Sequence, residues 1–232
     1  MSPVTARIDL VHARRVWDGA GRPAIEVEVF VAGGARGRSI APSGPAASAA
    51  EAHDLRDGGA AFGGLDVASA IAGVDGEIDR ALRGLDAADQ EAVDRRLVTL
   101  DATPGKSRLG GNAIVATSMA AAQAAAAAQG VPLWRHLAQG REPVALPLPR
   151  VEIVGADVGP GEGADLASVQ VIAIGAEDYG TALDWAAEVY RTAGALLAHL
   201  GSHAGVAGLG GHRAALENGQ QALELVVRAI ER

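Results

Sequence analysis

The run "GSHAGVAGLGGHR", residues 201–213, places His203 and His212 among five glycines. Imidazole is the commonest metal ligand and the usual acid–base group near neutral pH. Glycine-rich turns can also cradle phosphate on backbone N–H groups. The two histidines stand nine residues apart, and their spacing fixes no third ligand. They therefore read as exposed loop histidines rather than a metal pair. "GPGEG", residues 159–163, has glycine spacing like part of a dinucleotide loop. Neither a helix nor a lysine follows at once, so it reads as a plain turn.

The rest of the composition narrows the chemistry. Cysteine is absent, which excludes disulfides, thiolate catalysis and Cys-ligated zinc. Lys106 is the only lysine. The net charge of -8 argues against a duplex DNA partner, which needs a basic surface. The first residues carry charges throughout, unlike a signal peptide. The most apolar stretch, "AIVATSMAAAQAAAAAQG", is Ala-rich with two glutamines and reads as a packed helix rather than a membrane span. The expectation is a cytoplasmic protein with no nucleic-acid or membrane partner.

The elements that must position any site follow from periodicity. Residues 5–17, 24–32 and 35–42 read as three strands joined by turns at 18–23 and 33–34, an antiparallel meander. On the second strand, Glu26 and Glu28 read as a solvated face. Residues 48–58 have a capping-box spacing, Ser48 to Glu51, and close on Gly58, which predicts a helix. Asp54, Arg56 and Asp57 then read as structural charges at its end. Helical periodicity continues over 66–85, 89–101 and 112–130, the last opening at an Asn112 cap, and Pro132 begins a short helix. The Ala-rich helix reads as core packing, and Trp134 and Trp185 as packing anchors. Residues 1–140 thus form an α+β domain. Residues 141–150, with three prolines, read as a linker. Residues 151–232 hold two strand candidates, "RVEIVGAD" and "SVQVIAIGA", then helices at about 180–200 and 216–231. Two strands and two helices make a small core, because a lone hairpin is marginal in water.

Several strings together resemble enolase, the phosphopyruvate hydratase family. They are "ARRVWDGAGRPAIEVEV" (13–29), "APSGPAASAAEAHDLRDGG" (41–59) and "LDATPGKSRLGGNAIVATSMAAAQAAA" (100–126), then "GVPLWRHLA", "GAEDYGTALDWAAEVYRT" (175–192) and "ALELVVRAI". The resemblance covers nearly the whole chain. It implies a three-strand, four-helix N-terminal domain followed by the start of a β/α barrel in the order strand-strand-helix-helix. A barrel closes with about eight strands, so residues 151–232 correspond to an incomplete barrel segment.

Enolase chemistry removes a proton beside a carboxylate, using a lysine base and magnesium ions held by carboxylates. The resemblance places that base and those carboxylates on later barrel strands. Lys106 belongs instead to the N-terminal domain. Positions that fall within the chain are altered. The family's mobile loop, Ser-Gly-Ala-Ser-Thr, reads "SGPAAS" here. Ser43 and Gly44 remain, and Ala46 stands where a Ser reaches magnesium. Gly159 stands at the substrate-loop histidine. The second strand's Gln-Glu pair falls on Ala167 and Ser168, or near Gln170 or Glu162 if a gap intervenes. Leu209 in "GLGG" replaces the acid pair that handles the departing hydroxyl. The "GSHAG" at 201–205 copies the family's substrate-loop string about forty residues too late and reads as an accidental echo.

The resemblance with these losses implies an enolase-like subunit with no catalytic residues and no metal ligand of its own. It would bind no cofactor alone, with magnesium expected only in a completed assembly. The implied partner is a second chain supplying the rest of the barrel, or further copies of this one. The alternatives are a non-catalytic scaffold or regulatory pseudoenzyme, and a truncated phosphopyruvate hydratase.

Overall fold

The computed structural model describes residues 6–42, 51–142, 145–155, 168–208 and 210–232. The chain divides into two compact units, Met1–Glu142 and Pro143–Arg232.

In the first unit, β1 (Ile8–Trp17), β2 (Pro23–Val31) and β3 (Arg36–Ala41) form an antiparallel sheet in the order β1-β2-β3. The β1–β2 turn is tied by Asp18, whose carboxylate accepts from the backbone N–H groups of Ala20 and Arg22, while Gly21 takes φ 72°. These hydrogen bonds, led by that from the Arg22 N–H, hold the Asp18 carboxyl below its usual range against the opposing effect of desolvation.

Beyond the sheet come α1 (Ala68–Gly73), a π-type turn at Val74–Ile78 and α2 (Asp79–Leu82). Asp75 and Asp79 lie one turn apart there. Asp79 Oδ1 accepts from the Val11 N–H at 2.8 Å, and Asp75 Oδ1 accepts from the Ala13 N–H at 2.8 Å. Two carboxylates thus satisfy the outer N–H groups of β1 and close an edge that would otherwise invite pairing.

α3 (Gln90–Asp101) starts at an Asp89 cap whose side chain accepts from Ala92 N. α4 (Gly111–Ala128) buries its alanines in the core, as the composition suggests. Its closeness to the sheet depends on Gly37 of β3. A Cβ there would fall 2.1 Å from Ala120 O and 2.2 Å from Ala124 N, so only glycine permits this approach. α5 (Leu133–Ala138) follows Pro132.

Several expectations are corrected here. Residues 51–58 contain no helix. Ser48, the expected cap of that helix, lies outside the described residues. Backbone groups of His53 and Leu55 bond instead to a distant segment: His53 N donates to Gly105 O, Gly111 N to His53 O, and the Asn112 amide bonds both ways with Leu55. Asn112 accordingly is not the α4 cap, a place taken by Gly110. Asp57 does act at a helix end, but at the start of α1, accepting from Ala68 N and Ser69 N. Glu26 is buried, 2% exposed, not solvated. It lies on the central strand between Arg14 of β1 and Arg38 of β3, and both guanidiniums pair with it. Glu28 pairs with Arg36 in the same way. Trp134 and Trp185 are half exposed, at 51% and 49%, rather than buried anchors.

The second unit contains β4 (Arg150–Gly155), β5 (Ser168–Ile172), α6 (Tyr179–His199), β6 (His203–Val206), β7 (His212–Ala214) and α7 (Gly219–Ile230). Its sheet runs β5-β4-β7-β6, with β4 antiparallel to β5 and parallel to β7. Ile153, Val169, Leu197 and Leu225 are among the residues of its core. Asp178 and Asn218 cap α6 and α7 by accepting from Thr181 N and Gln221 N. The expected order strand-strand-helix-helix gains a hairpin between the helices, and among the described residues no barrel closes.

Candidate functional site

The best-organised group of chemical side chains lies on the β6–β7 hairpin, within the run that read as a loop. Ala207 N donates to Gly211 O at 2.8 Å and Gly210 N to Ala207 O at 2.9 Å, which closes a tight turn. The strands are antiparallel, with Val206 opposite His212 and His203 opposite Ala214. A register shift between these pairs brings the two imidazoles together: His203 Nε2 lies 3.1 Å from His212 Nδ1.

His212 is buried, 7% exposed, and is fixed from three sides. Its Nε2 lies 2.9 Å from the Tyr190 carbonyl oxygen. Its ring stacks on the Tyr190 ring, centroids 4.0 Å apart. On the remaining side is Gly194, where a Cβ would come within 2.7 Å of His212 Cε1. Tyr190 and Gly194 stand one helical turn apart on α6 and form a seat for the imidazole. The Tyr190 hydroxyl donates to Gly210 O at 2.9 Å and so ties the turn to the same helix.

This arrangement sets the tautomers. A carbonyl only accepts, so in a neutral His212 the ring proton sits on Nε2 and Nδ1 holds the lone pair. His203 Nε2 then donates into that lone pair. The expectation of two exposed loop histidines is therefore corrected: both lie on strands, His212 is buried, and only His203 is exposed. Cross-strand pairing, which spacing in sequence does not report, brings them together.

Tyr190 and Glu152 belong to no motif in the sequence that marks them as site residues. Gly194 was the available signal, because glycine weakens a helix interior and needs a packing reason. Glu152 of β4 lies over two glycines. A Cβ on Gly155 would meet its Oε1 at 2.2 Å, and one on Gly211 at 2.8 Å. Its carboxylate thus sits beside the residue preceding His212.

Ser43, Gly44, Ala46, Gly159 and Leu209, together with the "GPGEG" turn, lie outside the described residues. Lys106 is held in the first unit, with Nζ donating to Thr103 O at 2.9 Å. Among the described residues no three His, Asp or Glu side chains gather as a protein-built metal cage requires, so the carboxylate set for magnesium is not found among them. Also among them, no helix is long and apolar enough to cross a membrane.

The first unit is an α+β domain in which a three-stranded antiparallel meander packs on helices. Residues 8–137 match the family model described as enolase, N-terminal domain, and the chain belongs to that family.

Proposed function

We propose that this chain is an enolase-type subunit, catalytically incomplete alone, that joins an assembly in which another chain supplies the remaining barrel strands. The observation that supports this reading is the β5 edge of the second unit. Among the described residues β5 ends the sheet, and Ile172 on it is 47% exposed and Ile174 just after it 84% exposed. Beside it opens a groove of about 340 Å³ whose lining includes Val171, Ile172, Trp185, Val189 and Ile230. Barrels remove such edges by pairing every strand, and an exposed apolar edge is costly in water.

The reaction in view is the family's: proton abstraction beside a carboxylate with magnesium stabilising the resulting charge, on a phosphoenolpyruvate- or 2-phosphoglycerate-like compound or a phosphonate. The partner would bring the magnesium carboxylates and the lysine base, since Lys106 Nζ donates to Thr103 O and Pro104 O of its own loop. The test is co-purification from the source cell, followed by sizing and assay with 2-phosphoglycerate and Mg²⁺. A stable complex with a strand-bearing partner, and turnover only in that complex, are expected. A monodisperse, stable monomer without a partner would sink the reading.

The substitutions at Ala46, Gly159 and Leu209 favour a second reading, a non-catalytic scaffold or regulatory pseudoenzyme. It predicts either a complex with a full-length enolase that keeps magnesium-dependent turnover, at the same or an altered rate, when this chain is removed, or a complex of copies of the chain that has no turnover. A truncated phosphopyruvate hydratase would instead gain turnover when the family's later barrel residues are joined to residue 232.

A further inference from the structure

We propose that His203 and His212 form a binding site for a late first-row divalent cation such as Zn²⁺ or Cu²⁺. The site is independent of the enolase-type reading above. Its carrying observation is the convergence of two imidazole nitrogens, His203 Nε2 and His212 Nδ1, at 3.1 Å on adjacent antiparallel strands.

That separation matches chelation. With Zn–N bonds of about 2.0–2.1 Å, two cis nitrogens lie roughly 2.9 Å apart at a right angle and about 3.3 Å apart at the tetrahedral angle. The observed distance falls between these limits. Imidazole suits zinc, copper and nickel, whereas magnesium seeks hard oxygen ligands.

The outer partners are those a ligating histidine uses. His212 donates its other ring N–H to a backbone carbonyl, Tyr190 O, at 2.9 Å, which in the neutral ring leaves the Nδ1 lone pair facing His203. Stacking on Tyr190 and the space left by Gly194 hold the ring in place before any ion arrives. His203 is exposed, so its ring can turn aside and admit the cation from solvent. In the metal-free form His203 Nε2 carries a proton and donates it to His212. On binding, that proton shifts to His203 Nδ1, and Nε2 becomes a ligand with no net proton released. Among the described residues no third His, Asp or Glu joins the pair, so water completes the coordination. With two protein ligands the site stays open to solvent, unlike the four-ligand closed site of a structural zinc.

The experiment uses the untagged chain and its His203→Gln variant. His203 is exposed, so this change leaves the fold in place, which far-UV circular dichroism checks. Calorimetric titration with Zn²⁺ is expected to show one site weakened at least tenfold by His203→Gln and unchanged by His136→Gln, a histidine of the other unit. Cu²⁺ electron paramagnetic resonance is expected to show two coupled nitrogens in the parent and at most one in His203→Gln. Equal Zn²⁺ affinity in the parent and His203→Gln would overturn the assignment. So would equal weakening by His136→Gln, or an unchanged nitrogen pattern in the copper spectrum.

Discussion

Gly37→Ala is the sharpest probe of how the first unit is held together. The new methyl carbon would lie 2.1 Å from Ala120 O, 2.2 Å from Ala124 N and 2.8 Å from Gln123 C, all backbone atoms of α4. Ordinary contact begins near 3.4 Å. No rotamer change relieves the clash, so strand and helix must separate by roughly 1.3 Å at this point, and a gap of about 1 Å already forfeits up to half of a dispersion contact. The loss spreads along the buried alanines of α4, including Ala113, Ala116, Ala120 and Ala124. Overpacking costs about 1–3 kcal/mol where side chains can yield, and a rigid backbone neighbour puts this site at about 3–4 kcal/mol. For a unit of this size that lowers Tm by on the order of 10 °C. The assay is thermal and urea unfolding followed by far-UV circular dichroism, with Gly105→Ala as control. A Cβ at Gly105 meets nothing within 4 Å, and its φ lies outside the left-handed range. A Gly37→Ala protein within about 0.5 kcal/mol of the parent would refute the packing argument, since backbone contact of this kind exceeds the usual surface effect.

Asp101 is 1% exposed. Burial opposes its charge, but hydrogen bonds from the Thr103 hydroxyl and from the N–H groups of Leu109 and Thr103 outweigh it and lower the carboxyl's pKa. A lowered folded value means the stabilisation is full above the unfolded value of about 3.9 and is lost as pH falls through the folded one. Asp101→Asn is expected to cost about 1–3 kcal/mol at pH 7 and to flatten the decline in stability below about pH 4 in acid titration. An unchanged acid slope counts against this. Arg56→Lys should destabilise by about 1–3 kcal/mol in urea titration, because one guanidinium reaches Asp54, Pro23 O and Leu65 O together and an ammonium cannot. In the second unit, Gly194→Ala should displace the His212 ring and break its bond to Tyr190 O, seen as a shift of the His212 ring ¹⁵N resonances, while Gly19→Ala leaves them unmoved. The isolated chain should show no measurable dehydration of 2-phosphoglycerate with Mg²⁺, and turnover by the purified chain would remove the incomplete-subunit reading.

Much of the fold was legible where the determining interactions are local. Alternation and the Asp18–Pro23 turn specify the β1–β2 hairpin, and Asp89 marks the start of α3 through a bond three residues away. An alanine run with few bulky groups can pack only as a close helix, which is what α4 does. The motifs shared with enolase lie largely in this first unit, where the family match also falls. Tertiary structure decided the rest, because the deciding partners are remote in sequence. Residues 51–58 hold no helix because backbone groups of His53 and Leu55 bond to the segment around 105–112, and those of Asp57 and Gly58 to residues 64–66. Glu26 can be buried because arginines on both neighbouring strands reach it, a pairing set by register. His203 and His212 meet because β6 and β7 pair with a shifted register and because α6 leaves a glycine-sized gap for one ring. The sequence by itself determined the meander strands, most of the helices and the family they resemble. Only the folded chain determined which side chains lose water and face each other, because desolvation and cross-strand contact depend on neighbours that the order of residues does not name.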